Sequence, residues 1–202
     1  MPETPIVQDA PVISYVTASA DMRYIETGER QVYLRNDPKA GLVFQGEMPG
    51  CRPGCYINLS EILLEYAMSC EGCREEEVVS KEVTRFGGQL GEKLAAKIQQ
   101  KKAGKTAAEQ LSSGFKCVLN SMDAMYIEDR KEYYLDYSLD CCPLSECANS
   151  TGLNRSVEMA DVSFSALCKS LVKVLAPDWV LKQPSENNVN IPMHKIILTK
   201  LQ

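Results

Sequence analysis

Apolar residues recur every three or four positions in four stretches of the chain, a spacing that places them on one face of a helix. These stretches predict helices over about 58–72, 75–103, 106–124 and 157–176. Asn58 with Glu61, and Thr106 with Glu109, have the spacing of capping boxes, in which two side chains bond reciprocally to the first turn. Pro177 ends the last helix because proline cannot continue the backbone ladder.

Other stretches alternate apolar and polar residues, as half-buried strands do. They predict strands over 12–18, 23–37 and 41–46, a hairpin over 125–139 and a last hairpin over 178–200. The turns are expected at Thr27-Gly28-Glu29, at or near Asp129 and Arg130, and from Pro184 to Asn188. Hairpins make antiparallel sheet, so the sequence predicts an α+β fold, with an antiparallel sheet and about four helices packed on one side of it.

The chain of 202 residues is long for one domain and short for two. We expect a flexible lead over 1–10 and a single α+β domain over 11–202. The strands within 11–46 would then elaborate a core of about 40–200. The polar segment 148–156 is expected to be a loop.

Composition narrows the classes of function. The net charge of −5 argues against a dedicated nucleic-acid binder, because neutralising phosphates needs a basic face. No run of 18 apolar residues is present, and the first residues lack the pattern of a secretory signal. We therefore expect a cytoplasmic protein that neither binds nucleic acid nor enters a membrane.

Nine cysteines are many for a reducing compartment, and disulfides, metal binding, redox chemistry and plain burial all remain open. Cys51 and Cys55, followed by Cys70 and Cys73, suggest a four-thiolate zinc site. The predicted helix between the pairs separates them by roughly 15 Å, from 1.5 Å per residue, which excludes one site built from all four. Cys70 and Cys73 are left as half of a metal or iron–sulfur site, a redox dithiol, or unengaged thiols.

Three more thiols, Cys141, Cys142 and Cys147, follow a predicted strand and flank Pro143. Proline suits the first turn of a helix, where its missing N–H removes no hydrogen bond. Neighbouring strand residues point to opposite faces, so at most one of Cys141 and Cys142 faces the core. Cys147, one helical turn further on, can face back toward one of them. Cys168 has the spacing of a buried helix residue.

Three glycines, Gly87, Gly88 and Gly91, interrupt the longest helix, although each weakens a helix by up to about 1 kcal/mol relative to alanine. Close approach of another backbone, contact with a ligand, or a kink would account for them. Tyr134 belongs to a tyrosine-rich strand that either lines a pocket or packs across the sheet. His194 is the only histidine, which removes most catalytic triads and every two-histidine metal site.

The glycine-interrupted segment RFGGQLGEKLAAKI (85–98), the CPL that ends a hairpin (142–144) and the later helix with Cys168 resemble the 4-vinyl reductase domain superfamily. Its relatives include aminothiazoline-carboxylate hydrolase-like and methanogen sensor-output domains. The resemblance covers about residues 40–200 and implies an α+β module, often dimeric, that binds small hydrophobic or tetrapyrrole-like ligands or acts as a sensor. It implies that Cys142 and Cys168 are site thiols and that the glycines lie at a close-packed helix surface. Members often carry another cysteine in the last hairpin, where this chain reads NIPMHKIIL (190–198).

We therefore expect a homodimeric small-ligand binding or sensing module with a cysteine-lined pocket that holds a metal or a tetrapyrrole-like or hydrophobic ligand. The expected pocket residues are Cys142, Cys147, Cys168, Gly87, Gly88, Gly91 and Tyr134. The expected metal ligands, for zinc or an iron–sulfur cluster, are Cys70, Cys73, Cys142 and Cys147. The alternative is a cysteine-dependent enzyme, either a hydrolase-like protein with a thiolate nucleophile or an iron–sulfur redox protein.

Overall fold

A computed structural model describes residues 13–16, 29–47, 56–71, 75–182 and 194–201 of the chain. Within these ranges it contains five α-helices, one short 3-10 turn and eight strands. The helices are α1 (Leu59–Glu71), α2 (Glu76–Gln100), α3 (Ala107–Ser121), α4 (Pro143–Thr151) and α5 (Val157–Leu175). The strands are β1 (Ile13–Val16), β2 (Glu29–Asp37), β3 (Gly41–Glu47), β4 (Tyr56–Ile57), β5 (Tyr126–Lys131), β6 (Tyr134–Leu139), β7 (Trp179–Lys182) and β8 (His194–Lys200).

The strands form two antiparallel sheets of four strands each, rather than one sheet. The first sheet has the order β1-β2-β3-β4. The turn between β2 and β3 is held by Asp37, whose Oδ1 accepts hydrogen bonds from the N–H groups of Lys39 and Ala40. Of the expected turn at 27–29, Glu29 already lies in β2, and the other two residues lie outside the described ranges.

The second sheet has the order β5-β6-β8-β7, so β5 and β7 are its edges. Strand β6 alternates as predicted, with Leu135, Tyr137 and Leu139 buried. The hairpin turn expected at or near Asp129 and Arg130 lies just beyond them, because both residues belong to β5 and Lys131 pairs with Tyr134 across a two-residue turn. The charged composition of this part of β5 resembles that of a turn, because β5 is an exposed edge strand.

The last hairpin is confirmed by the antiparallel pairing of β7 with β8. Its expected turn, from Pro184 to Asn188, lies outside the described ranges. His194 opens β8 opposite Leu139, next to the start of the thiol segment.

Local capping chemistry fixes two helix starts where the sequence predicts them. The Glu61 N–H donates to Asn58 Oδ1 over 3.0 Å at the start of α1. At α3, Thr106 and Glu109 form both hydrogen bonds of a capping box. The expected loop over 148–156 is wrong in its first half, because α4 continues to Thr151 and ends at Gly152, which has the left-handed φ of 78° that favours glycine.

One continuous set of buried side chains joins both sheets to the helices. Helices α2 and α5 make the most extensive contact in the fold, and α3 packs against strands of both sheets. Val32, Leu34 and Phe44 enter this core from the first sheet, while Tyr137 and Leu198 enter it from the second. The predicted α+β class with antiparallel hairpins is confirmed.

The longest helix, α2, has a strongly polar outer side that includes the exposed Glu92 and Lys93.

Among the described residues, no helix combines the length and the apolar character needed to cross a membrane.

Candidate functional site, a cleft beside two thiols

The thiol segment lies where the sequence predicts, between the end of β6 and a helix that begins with proline. Strand β6 ends at Leu139, and Pro143 is the first residue of α4. Cys142 occupies the N-cap position with an extended backbone, and its side chain makes no capping hydrogen bond. The short connection places Cys141 just before the helix and Cys147 one turn into it.

A cleft of about 380 Å³ opens beside this segment. Its walls come from the start of α1, the loop after α3, and the first turns of α4. Cys141 and Cys147 both line it, although they are six positions apart in the chain. The volume lies within the range of small-molecule sites, roughly 300–1,000 Å³.

The lining of this thiol cleft is acidic. Three carboxylates, from Glu61, Asp123 and Glu146, line it together with the two thiols and the thioether of Met122. No lysine, arginine or histidine in the described part of the chain is among the lining residues. The cleft therefore presents an environment that attracts positive charge.

One wall of the thiol cleft is fixed by hydrogen bonds across the fold. Asn58 Nδ2 donates to Asp123 Oδ2 over 3.0 Å, while Asn58 Oδ1 caps α1. Asp123 has a φ of 54°, in the left-handed region that aspartate tolerates better than most residues. Asn58 thus holds the start of α1 and the loop after α3 together.

Nearby carboxylates and burial raise the pKa values of both cleft thiols, so both are protonated at neutral pH. A hydrogen bond to Glu146 is the largest cause that raises the pKa of Cys141 from its ordinary 9.0 to about 11, with burial and Asp140 adding to it. Burial is the largest cause that raises the pKa of Cys147 to about 11, followed by the charges of Glu61, Glu65 and Asp123. Since the thiolate is the nucleophile, both thiols are weak nucleophiles at pH 7.

The other predicted cysteines lie elsewhere. Cys168 is 2% exposed on α5, and burial raises its pKa strongly. Cys70 is buried on α1, and Cys73 lies outside the described ranges. Cys142 packs against the core and does not line the thiol cleft. Of the thiols, Cys141 and Cys147 line the cleft, and the assignment of Cys142 and Cys168 to a ligand pocket stays a prediction.

The predicted glycines face another helix. A Cβ atom on Gly87 would lie 1.9 Å from the carbonyl oxygen of Ser163, and one on Gly91 would lie 2.4 Å from that of Leu167. Gly88 has more room, with Ser170 Oγ at 3.4 Å from the corresponding position. Of the explanations that the sequence leaves open, close approach of another backbone is the one observed.

Tyr134 lies on the opposite side of the second sheet from the core. Its hydroxyl donates to Asp136 Oδ2 over 2.9 Å, and Lys131 Nζ lies 5.7 Å from its ring centroid. Neither Tyr134 nor the three glycines line the thiol cleft. Their assignment to a ligand pocket stays a prediction.

The described residues contain no group of three or more histidine, cysteine, aspartate or glutamate side chains arranged to hold a metal ion. Cys51, Cys55 and Cys73 lie outside those residues, so any site that uses them stays a prediction. Sequence reasoning missed Glu61, Asp123 and Glu146 as cleft residues. The proximity of Glu61 and Asp123 to the thiols arises from helix packing and leaves no local pattern, whereas the position of Glu146 directly before Cys147 was a signal that could have identified it.

A second groove, of about 320 Å³, lies between α5 and β7. Its floor is mainly apolar, from Val172, Trp179 and Leu181, and Lys169 and Lys173 also line it. The lysines sit four positions apart on one exposed face of α5, which is the usual arrangement of a solvated helix. The thiol cleft has the more distinctive chemistry of the two.

The chain matches no protein-family model, no curated protein and no solved structure. The resemblance to the 4-vinyl reductase superfamily therefore stays a prediction. A functional proposal rests on the chemistry of the thiol cleft.

Proposed function

We propose that the protein is a small-ligand binding or sensing module, and that its ligand is a positively charged species held in the thiol cleft. The observation that carries the proposal is the convergence of two thiols and three carboxylates on one cleft of about 380 Å³, with no basic side chain among the described residues that line it. Negative potential in a concave site concentrates cations and penalises anions. Glu61 and Asp123 are brought by the tertiary fold to the other three groups, which all lie within residues 141–147.

Among the ligands expected from the sequence, a thiophilic metal ion best matches the charge and the sulfur atoms of this lining. The described side chains are not arranged around one ion in this structure, so binding requires them to reorient. Cysteine thiolates are preferred ligands of zinc, with carboxylates as common partners. The thiols must lose their protons to bind, and a bound dication would offset the carboxylate charges that oppose this loss. An apolar or tetrapyrrole-like ligand gains less from an acidic lining.

The enzyme alternative has less support. A thiolate nucleophile needs a lowered pKa, whereas the pKa values of Cys141 and Cys147 are raised to about 11. An iron–sulfur cluster needs about four cysteine ligands, and two line the thiol cleft. Binding is therefore favoured over catalysis by these thiols.

A reducing compartment such as the cytoplasm also belongs to this proposal. Cys117, Cys141, Cys142, Cys147 and Cys168 form no disulfide. Unpaired thiols in such number suit a compartment that keeps cysteines reduced.

The test is zinc binding by the whole chain. Protein purified without oxygen is analysed for metal, and metal-free protein is titrated with zinc at pH 8 by calorimetry. We expect about one equivalent of zinc, with an affinity at least about a hundredfold lower in the double variant Cys141→Ser/Cys147→Ser, since even weaker perturbations of metal sites cost 10- to 100-fold.

Cys142→Ser is the matched control, because Cys142 is a direct neighbour that does not line the cleft. It should leave zinc affinity unchanged. An equal loss of zinc affinity in the double variant and in Cys142→Ser would contradict the assignment of the site to Cys141 and Cys147 alone. The absence of zinc binding in the unmodified protein would refute the metal form of the proposal.

The homodimer expected from the resemblance is the remaining part of the proposal. It concerns a surface away from the thiol cleft, and its test is independent of zinc.

A further inference from the structure

The edge strand β5 leaves one row of backbone groups without a strand partner. The carbonyl oxygen of Met125 accepts from the N–H of Asp140, so Met125 and every second residue after it direct their backbone groups toward β6. The backbone groups of Tyr126, Glu128 and Arg130 therefore point to the outer edge. In the described part of the chain no strand pairs with this edge.

The side chains on the outer face of β5 are strongly exposed and follow an ordered sequence. Ile127 is 69% exposed and Tyr133, in the turn, is 58% exposed. Between them, the side chains of Asp129 and Lys131 are 57% and 69% exposed. The order is thus apolar, acidic, basic, aromatic, at every second residue.

This order is complementary to its own reverse. When two copies of β5 pair antiparallel about a two-fold axis at Arg130, residue 129 of one copy lies opposite residue 131 of the other. Asp129 then faces Lys131 of the second copy, twice, and Ile127 lies toward Tyr133 of the second copy. Opposite charges and aromatic pairs with β-branched residues are the cross-strand pairs that stabilise antiparallel sheets.

Strand β6 provides a second reason for a positive charge of another copy to lie beside Asp129. Within one molecule, Asp129 lies directly opposite Asp136 of β6. Like charges in that arrangement destabilise a sheet. Lys131 contacts Asp129 over 3.4 Å, and Lys195 lies 3.7 Å from Asp136, both at partly exposed positions. Lys131 of a second copy would add a further cation to this acidic pair.

We propose that the outer edge of β5 is the interface between two copies of this chain, which pair antiparallel about Arg130. The two second sheets then form one sheet of eight strands, four from each copy. Charges on an edge strand also protect it from indiscriminate pairing. In this register the outer-face charges attract, whereas Arg130 lies opposite Arg130 of the second copy and Glu128 opposite Glu132. The outer-face pairs and the backbone hydrogen bonds must therefore outweigh that repulsion. The inference rests on the proposed homodimer and specifies its surface.

Two substitutions at Arg130 test the backbone pairing. Its N–H points outward and has no strand partner within one molecule, so Arg130→Pro removes a hydrogen bond of the dimer and none of the monomer's ladder. Arg130→Ala, the matched control, keeps the N–H. By sedimentation velocity over a wide concentration range, we expect Arg130→Ala to dimerise and Arg130→Pro to be monomeric with unchanged circular dichroism.

Two charge reversals test the register without changing the backbone. Asp129→Lys places lysine opposite lysine, and Lys131→Asp places aspartate opposite aspartate, so each variant alone should dimerise about tenfold more weakly. Mixed together, the two variants place opposite charges at every one of these positions. The mixture should therefore recover dimer, as a heterodimer seen by native mass spectrometry, which no effect within one molecule can imitate.

The possible results separate the two proposals. A monomeric unmodified chain at all concentrations would overturn the homodimer and the interface together. A dimer that persists in Arg130→Pro, or single reversals whose mixture gives no heterodimer, would overturn the β5 interface and leave the homodimer in place. Zinc binding in the thiol cleft is unaffected by either outcome.

Discussion

Gly87 of α2 lies directly against the backbone of Ser163 in α5, so closely that a Cβ atom on Gly87 would be 1.9 Å from the Ser163 carbonyl oxygen. One turn further, Gly91 meets the carbonyl oxygen of Leu167 in the same way. The two central helices therefore cross with their backbones in contact. This packing accounts for Gly87 and Gly91, since no side chain fits between the helices at these two positions.

Gly87→Ala should destabilise the protein by about 3 kcal/mol, since its methyl group overlaps a backbone carbonyl that cannot rotate away. Gly88→Ala is the matched control on the same helix. Its Cβ would meet only Ser170 Oγ at 3.4 Å. The better helix propensity of alanine should then make it neutral, or stabilising by up to about 1 kcal/mol. Urea unfolding followed by circular dichroism measures both, and equal effects would contradict the packing explanation.

Cys141 should be alkylated slowly at neutral pH despite its partial exposure. A pKa of about 11, against an ordinary 9.0, lowers the thiolate fraction about a hundredfold at pH 7. The rate with iodoacetamide, followed by mass spectrometry of the modified peptides, should rise about tenfold per pH unit until about pH 11.

Glu146→Gln separates the causes of the two raised pKa values. Glu146 is the largest contributor at Cys141, whereas Cys147 responds to burial, Glu61, Glu65 and Asp123. The substitution should accelerate alkylation of Cys141 at pH 7 and leave Cys147 unchanged. Rapid labelling of Cys141 in the unmodified protein would show that its pKa is not raised.

Local chemistry in the sequence was enough to predict most helices and strands. Asn58 and the Thr106–Glu109 box mark helix starts because a cap depends on residues only three positions apart. The alternation of Leu135, Tyr137 and Leu139 marks a strand because its period is two. The turn at Glu132 and Tyr133 was predicted slightly too early in the chain, because an exposed edge strand has the composition of a turn.

The thiol cleft depended on long-range packing and was predicted only in part. Cys147 was identified from its spacing to Pro143. Asp123 reaches the cleft from the loop after α3 through its hydrogen bond with Asn58, 65 positions away in the chain. Cys168 was placed near the site by the resemblance, but in the structure it is a buried core residue. The helical spacing of Cys168 did predict its burial.

Ser121→Ala should cost about 1–3 kcal/mol, the usual effect of leaving a buried N–H without its acceptor. The Phe44 N–H of β3 donates to Ser121 Oγ, and that hydroxyl donates to the carbonyl oxygen of Cys117. The serine thus attaches the first sheet to α3. Ser113→Ala is the control, because its hydroxyl bonds only to Glu109 within the same helix. Ser113→Ala should hardly change the free energy of unfolding in urea. A loss of stability as large as that of Ser121→Ala would assign the effect to the helix itself.

Glu128→Gln should lower the free energy of unfolding at pH 7, and the size of this loss should depend on pH. Burial opposes the ionisation of Glu128, but hydrogen bonds from Lys116, Ser112 and Tyr137 outweigh it, so its pKa lies below the ordinary 4.5. Hydrogen bonds to a charged group contribute about 1.5–3 kcal/mol, and the neutral amide loses much of this.

The sign of the pH dependence follows from the lowered pKa. A carboxylate whose pKa is lower in the folded state stabilises the fold above its unfolded pKa, and this contribution disappears as the pH falls through the folded pKa. The stability difference between the unmodified protein and Glu128→Gln should therefore be full above pH 5 or so and shrink at lower pH. Glu92→Gln, at an exposed position on α2, should show no comparable difference in urea unfolding from pH 3 to 7. A difference for Glu128→Gln that stayed constant down to pH 3 would mean that the charge of Glu128 is not the cause of the difference.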